Sequence, residues 1–223
     1  GISITAGAAT LNVTAIADGD TVTVTGVDGT FTAAIAGTTG KVDVTGTAGA
    51  ENISGGDGAD TIDGAGGDDT IDGNGGDDIL EFDNSAALLA AGAGSGTVDG
   101  GADSDTIMFT AADTGIVDAD FADVANVETL QLFGASTAVL GTESAQATIA
   151  TVTTGTGATD LTTTVAVNMA VVSNVADGVA LSLAGDDVNY SVTTLVGDLT
   201  VADAHTGNVT VTTGSVATTT VAL

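Results

Sequence analysis

Residues 55–81 read GGDGADTID, GAGGDDTID and GNGGDDILE, which are three consecutive nonapeptides in one frame. In that frame, residues 37–45 (GTTGKVDVT) and 46–54 (GTAGAENIS) are looser copies, and residues 100–108 (GGADSDTIM) form a later one. The eighth position of every copy is apolar: Val44, Ile53, Ile62, Ile71, Leu80 and Ile107. A fixed period of this length predicts a coil in which each unit packs on its neighbours.

Each nonapeptide combines a turn with a strand. The first six positions form a turn in which glycines adopt backbone angles that a side chain would obstruct. Asn74 suits the second position because Asn also visits left-handed angles, whereas Ala65 and Thr47 fit less well there. The last three positions form a short strand whose middle residue points inward. The sequence therefore predicts an all-β fold, a parallel β-roll or β-solenoid.

The charge of the chain excludes several classes of function. Its 223 residues include 30 acidic residues and one basic residue, Lys41, for a net charge of −29. Binding to nucleic acid or to anionic membranes through a basic patch is therefore excluded. A hydrophobic content of 43% argues against disorder. With no Cys there is neither a disulfide nor a thiolate metal site, and no apolar run suggests membrane insertion.

The nonapeptides resemble the calcium-binding repeat of RTX proteins of Gram-negative bacteria, strongly over 46–81 and partially over 37–45 and 100–108. That family is exported by type I secretion and folds in external calcium. The resemblance implies a secreted or cell-surface protein that binds calcium (Ca2+) through sixth-position carboxylates and glycine-turn carbonyls. The metal-binding positions that it implies here are Glu51, Gly55, Asp57, Gly58, Asp60, Gly64, Gly66, Gly67, Asp69, Gly73, Gly75, Gly76, Asp78, Asp103 and Asp105.

In such a coil two nonapeptides make one turn, so alternate repeats stack at the strand spacing of about 4.8 Å. Val44, Ile62 and Leu80 then form one inner ladder, and Ile53 with Ile71 the facing one. By the same stacking, two pairs of carboxylates become neighbours, which repel unless a cation lies between them. Calcium suits these pairs because it accepts six to eight oxygen ligands, including backbone carbonyls. The predicted pairs are Asp60 with Asp78 and Glu51 with Asp69.

Three regions are predicted along the chain. Residues 1–36 form an N-terminal strand segment, 37–108 the repeat coil and 109–223 a C-terminal β-rich region. Within the coil, 83–92 reads as a short helix that begins at Asp83, Asn84 or Ser85 and ends at Gly92.

The C-terminal region is open to two interpretations. Leu183, Val192 and Val201 keep the nine-residue spacing, which favours continued coiling. Irregular gaps beyond Val201 leave a β-sandwich as the alternative.

Catalytic constellations are not evident in the sequence. A hydrolase triad would require His205, the one histidine of the chain, which stands in the turn-like stretch VADAHTG. Lys41 has no partner that suggests Schiff-base chemistry, and no phosphate-binding loop occurs. The chain is therefore not expected to be an enzyme.

The flanking strands, rich in Thr, Ala and Val, and phrasing such as NVETLQLFGAS (126–136), resemble RTX-bearing bacterial surface-layer proteins. This second resemblance implies an extracellular structural protein that self-associates into a lattice or filament, with a cell-surface polysaccharide as a candidate anchor. The alternative is a calcium-binding RTX module of a type I-secreted adhesin or enzyme whose active part lies outside this chain. The start at Gly1, without Met, favours a segment of a longer protein.

Overall fold

The structure, a computed structural model, describes residues 2–5, 7, 10–14, 17, 19–33, 40–91, 96–165, 168–176, 180–185, 189–195, 198–201, 207–213 and 221–222. Two predicted features, the helix end at Gly92 and the turn around His205, lie outside these residues. No helix in the described ranges is long and apolar enough to cross a bilayer.

The chain winds as a parallel β-solenoid, and successive strands alternate between its two sides. On one side, eleven strands form a single parallel sheet. In chain order they are β1 (Ile2–Thr5), β3 (Thr21–Thr25), β5 (Lys41–Thr45), β7 (Thr61–Asp63), β9 (Ile79–Phe82), β11 (Thr106–Phe109), β13 (Thr129–Gln131), β15 (Thr151–Thr153), β17 (Asn168–Val172), β19 (Asn189–Leu195) and β21 (Val209–Thr213).

The other side is divided into two parallel sheets. The first contains β2 (Leu11–Val13), β4 (Thr30–Ala33), β6 (Asn52–Ser54), β8 (Thr70–Asp72), β10 (Thr97–Asp99) and β12 (Val124–Ala125). The second contains β14 (Ser136–Leu140), β16 (Thr159–Thr163), β18 (Ala180–Ala184), β20 (Asp198–Val201) and β22 (Val221–Ala222). The division falls beside a 3-10 turn, Asp118–Phe121, and the short helix α2, Thr142–Gln146.

The predicted inner ladders are confirmed by the strand register. Val44 pairs with Ile62 and Ile62 with Leu80, while Ile53 pairs with Ile71 on the facing side. All five side chains are buried. Because full burial of an Ile or Leu side chain contributes roughly 1.5–3 kcal/mol, these ladders hold consecutive coils together.

The C-terminal strands continue the coil and do not form a sandwich. Leu183 pairs in parallel with Val201, and Val192, midway between them, lies in the facing eleven-stranded sheet. Every described pairing in this region is parallel, whereas a β-sandwich is built from antiparallel sheets.

The predicted helix is present as α1, Ser85–Ala91. Asn84 caps it, because the Ala87 N–H donates to Asn84 Oδ1 over 3.1 Å. A second anchor comes from a later coil, where Asp113 Oδ2 accepts the Ser85 N–H at 2.7 Å. The helix lengthens its coil, so that Asp78 and Asp105 are 27 positions apart instead of the 18 that separate Asp60 and Asp78.

In the copies that begin at Gly64 and Gly73, the second position of the repeat adopts left-handed angles. Asn74 has φ 71° and Ala65 has φ 66° there. Thr47, at the second position of the copy 46–54, does not have a positive φ. Its N–H and hydroxyl instead donate to the Glu51 carboxylate at 3.2 and 2.9 Å. Gly56 makes the same kind of turn, without positive φ and with its N–H donating to Asp60 Oδ2 at 2.6 Å, so the turns of residues 46–63 differ from those of the next two copies.

Candidate metal centre

Sixth-position carboxylates form a column along the edge where the strands of the eleven-stranded sheet begin. Asp60, Asp78 and Asp105 directly precede β7, β9 and β11. The backbone N–H of each residue donates to the next carboxylate in the column: Asp60 N–H to Asp78 Oδ1 at 2.7 Å, and Asp78 N–H to Asp105 Oδ1 at 2.8 Å. Asp60 and Asp78 are thus neighbours, as the stacking predicted.

A second column lies on the opposite edge. The Glu51 N–H donates to Asp69 Oδ1 at 2.9 Å, which places these two carboxylates in adjacent coils, again as predicted. One coil further on, the Gly96 N–H donates to Asp68 Oδ1 at 2.8 Å. The carboxylate of Asp68 therefore takes part at this edge, although sequence reasoning named only Asp69.

The columns place unbalanced negative charge inside the protein. Glu51, Asp60, Asp69, Asp78 and Asp105 are each at most 3% exposed. Among the described residues, Oδ2 of Asp69, Asp78 and Asp105 has no hydrogen-bond partner. A buried carboxylate oxygen without a donor is costly, and a bound cation would relieve that cost.

Carbonyl oxygens converge on the same places through the first-position glycines. A Cβ added at Gly55 would lie 2.6 Å from both Asp60 Oδ2 and the carbonyl oxygen of Gly73. A Cβ at Gly73 would meet Asp78 Oδ2 and the Gly100 carbonyl oxygen in the same way. Gly55 and Gly73 therefore each leave open a space bordered by a carboxylate of their own turn and a carbonyl of the next coil. Such a set of hard oxygens fits calcium.

On the second edge, a Cβ at Gly64 would lie 2.7 Å from Asp69 Oδ2. The fourth-position glycines stack on the preceding coil instead: Gly67 (φ 140°) lies against the Gly49 carbonyl, and a Cβ at Gly76 (φ 103°) would lie 2.6 Å from the carbonyl carbon of Gly58. These glycines permit close stacking of the turns.

The remaining predicted positions lie farther from the buried oxygens. Asp57 and Asp103 are exposed, and Asp103 Oδ2 accepts the Gly76 N–H at 3.3 Å. A Cβ at Gly66 would meet nothing within 4 Å, and one at Gly75 would come no closer than 3.8 Å to Asp57. Of the positions predicted from the resemblance, those at the first and sixth places of the repeat lie beside the buried carboxylate oxygens that lack a hydrogen-bond partner among the described residues.

Side chains alone do not form a metal site. Within the described part of the chain, no group of three or more His, Cys, Asp or Glu side chains is arranged to hold an ion. A cation at the columns would therefore depend on backbone carbonyls as well as carboxylates. That requirement favours calcium over zinc, which prefers His and Cys ligands.

The electrostatics of the columns follow from burial. Burial raises the pKa of Asp60, Asp69 and Asp105 to about 6 and that of Asp78 to about 8. The charges of Asp60 and Asp105 on either side raise the pKa of Asp78 further, against the lowering effect of its hydrogen bond from the Asp60 N–H. Without a cation, a pKa of about 8 favours protonation of Asp78 at neutral pH, whereas Asp60, Asp69 and Asp105 gain protons as the pH falls toward 6.

These pKa values predict that the folding stability depends on pH in opposite directions with and without calcium. The raised pKa values mean that the calcium-free fold binds more protons than the unfolded chain, so its stability is present in mild acid and is lost as pH rises through 6 to 8. Each carboxylate with a pKa of about 6 should contribute on the order of 1 kcal/mol between pH 8 and pH 5. For the three such carboxylates together, we expect the melting temperature in chelator to rise by roughly 5–10 °C from pH 8 to pH 5, and Asp78 should add to this rise. In excess calcium the melting temperature should instead fall from pH 8 to pH 5, because protons compete with calcium for the carboxylates.

The variant Asp78→Asn tests the origin of this effect. Asn keeps an oxygen for the Asp60 N–H but carries no charge, so the variant should be more stable than the wild type in chelator at pH 8 and gain less from calcium. Asp123→Asn, an exposed site outside the columns, removes the same charge and should change neither quantity. Differential scanning calorimetry measures both; equal responses of the two variants would refute a role for the buried column.

The comparisons with known proteins agree with the repeat. A family model described as the RTX calcium-binding nonapeptide repeat (4 copies) matches residues 45–80 and 88–111. Comparison with curated proteins and with solved structures gave no significant match. The stacked turns, the buried carboxylate columns and this match lead to one conclusion: the chain carries RTX calcium-binding nonapeptide repeats.

Proposed function

We propose that this chain is an extracellular structural protein whose fold and assembly depend on calcium. The observation that carries the proposal is the set of buried carboxylate oxygens, on Asp69, Asp78 and Asp105, that have no hydrogen-bond donor in the described ranges and that border glycine turns. Calcium bound there supplies the positive charge that lets the coils stack. RTX repeats occur typically in secreted proteins, and extracellular calcium is sufficient for sites with dissociation constants on the order of 0.1–1 mM.

The two columns suggest where the ions bind. One site would lie between Asp60 and Asp78 with the Gly73 carbonyl, and another between Glu51 and Asp69 with the Gly64 carbonyl, which a Cβ at Gly46 would approach to 2.7 Å. The protein's contribution is positional: strand register brings the carboxylates together, and the glycines keep side chains out of the space between them.

A structural role in a surface layer or matrix, without catalysis, is the finer part of the proposal. It is supported by the single His and absent Cys of the sequence and by the long parallel sheet. Self-association requires calcium on physical grounds, because copies that each carry a net charge of −29 repel one another. Type I secretion by a Gram-negative bacterium and a polysaccharide anchor belong to the same proposal.

Electron microscopy of the purified chain tests this role. Ordered sheets or filaments are expected at millimolar calcium and should disperse when chelator is added. Magnesium at equal concentration serves as the control, because it retains its waters and prefers a tight octahedron. A chain that binds calcium but stays monomeric, by light scattering, would contradict the lattice role. It would favour the alternative, a spacer or folding module of a secreted adhesin or enzyme. The repeat match, which is limited to residues 45–80 and 88–111, supports this alternative.

A further inference from the structure

The first carboxylate column continues beyond the repeats. Asp105 donates its backbone N–H to Glu128 Oε2 at 2.9 Å, as Asp60 and Asp78 donate to the next carboxylates. Glu128 directly precedes β13, just as Asp105 directly precedes β11. It lies outside both matched ranges, 45–80 and 88–111. The column therefore contains one more carboxylate than the repeats supply.

The strand before Glu128 keeps the register of a repeat, although the turn that follows it is shorter. Gly100 donates its N–H to the carbonyl of Ala125 at 3.0 Å, as Gly73 does to the carbonyl of Asp99 at 2.9 Å. Asn126 therefore occupies the register position of a first-position glycine in its coil, although its φ of 51° differs from theirs. A Cβ added at Gly100 would meet the Asn126 carbonyl oxygen and would lie 2.8 Å from Asp105 Oδ2. Carboxylate and carbonyl converge here as they do at Gly55 and Gly73.

An independent observation indicates that this space takes a cation. Asp105 is 0% exposed, and its Oδ2, which borders the space at Gly100, has no hydrogen-bond partner among the residues described. From the next coil, Asn126 presents its carbonyl oxygen to this space and Glu128 presents its carboxylate to Asp105, and both groups are acceptors. The arrangement concentrates oxygen atoms without a donor for Asp105 Oδ2.

We infer that Glu128, the Asn126 carbonyl and Asp105 form a further calcium site, one coil beyond the repeats; this inference rests on the calcium binding proposed above. Glu128 has room to act as a ligand because it is only partly buried, and its other oxygen, Oε1, accepts the Thr148 hydroxyl at 3.1 Å. The column ends at this site, since β15 is preceded by Ala150, which carries no carboxylate. The site ties the last repeat to the C-terminal coils.

The variant Glu128→Gln tests the inference. Gln preserves an acceptor for the Asp105 N–H but removes the charge that a cation requires. Native mass spectrometry at saturating calcium should count one ion fewer than in the wild type. Thermal melting adds a readout that loss of a purely structural hydrogen bond would not give: the variant should melt lower than the wild type in calcium, but no lower in chelator, where a repulsion with Asp105 has been removed. Circular dichroism in calcium checks that the variant is folded.

Two comparisons separate this site from the others. Glu143→Gln, the same substitution in α2, should leave the ion count unchanged. Asp78→Asn should lose ions within the repeats, but calcium should still slow hydrogen exchange at residues 126–131 as it does in the wild type. An unchanged count in Glu128→Gln, together with a loss in Asp78→Asn, would overturn the additional site and leave the proposed function intact. A wild-type chain that binds no calcium would overturn both.

Discussion

Removal of calcium is expected to lower the free energy of unfolding by about 3–4 kcal/mol. At a tenfold excess over its dissociation constant, each ion stabilises the folded state by roughly 1.4 kcal/mol, and two or three sites act together. That sum is a large part of the 5–15 kcal/mol typical of a domain. Without the ions, the buried carboxylates of Asp60, Asp78 and Asp105 repel, and the glycine-rich turns gain conformational entropy on unfolding.

Circular dichroism and light scattering during a chelator titration measure this effect. We expect the β signal to fall as free calcium drops below the millimolar range and to return when calcium is restored. Because cytosolic free calcium is far lower, the proposed secretion implies that the repeats stay unfolded until the chain leaves the cell. A β signal and melting temperature that are the same in chelator and in calcium would contradict the folding switch.

The substitution Gly67→Ala is expected to destabilise the protein by about 3 kcal/mol or more. Gly67 has φ 140°, a conformation that costs an L-residue roughly 1–3 kcal/mol. The new Cβ would also overlap the Gly49 carbonyl oxygen, a backbone atom in a turn of the preceding coil. The two costs act together because the turn cannot relieve one without disturbing the stacking.

The neighbouring glycine provides a matched control. Gly66→Ala introduces the same methyl group into open space, with nothing within 4 Å, and should change the free energy of unfolding by less than about 1 kcal/mol. Urea denaturation in saturating calcium compares the two variants. The pair Gly75→Ala and Gly76→Ala repeats the comparison on the other edge. Equal losses within each pair would show that the turns do not stack as described.

Much of the fold could be predicted because the repeat has a constant length. With nine residues per unit and two units per coil, Val44, Ile62 and Leu80 must coincide on one side of the coil, and the register confirms it. The same arithmetic placed Asp60 beside Asp78 and Glu51 beside Asp69. Even the distant Leu183 and Val201 kept the spacing and pair as coil neighbours.

The candidate site was predicted less completely. The sequence predicted that Asp60 adjoins Asp78 and that Glu51 adjoins Asp69, as the structure has them. It named Asp57 and Asp103 as calcium ligands with equal weight, although both side chains are exposed. It missed Glu128, because this residue is 23 positions from Asp105 and its turn has lost the glycine signature. A usable signal was present: an acidic residue stands immediately before a strand whose middle residue, Leu130, continues the inner ladder.

The sequence by itself determined the coil, its inner ladders and the pairing of carboxylates wherever the nonapeptide length is kept. Only the tertiary structure decided what happens where that length changes: that the helix after Asp83 is accommodated within one longer coil, that the strands beyond residue 109 continue the same sheet, and that Glu128 follows Asp105 in the column. The physical reason is that parallel pairing fixes the strands, while turns of different lengths connect them. A change in turn length erases the period in the sequence, but it leaves the stacking of the strands in space intact.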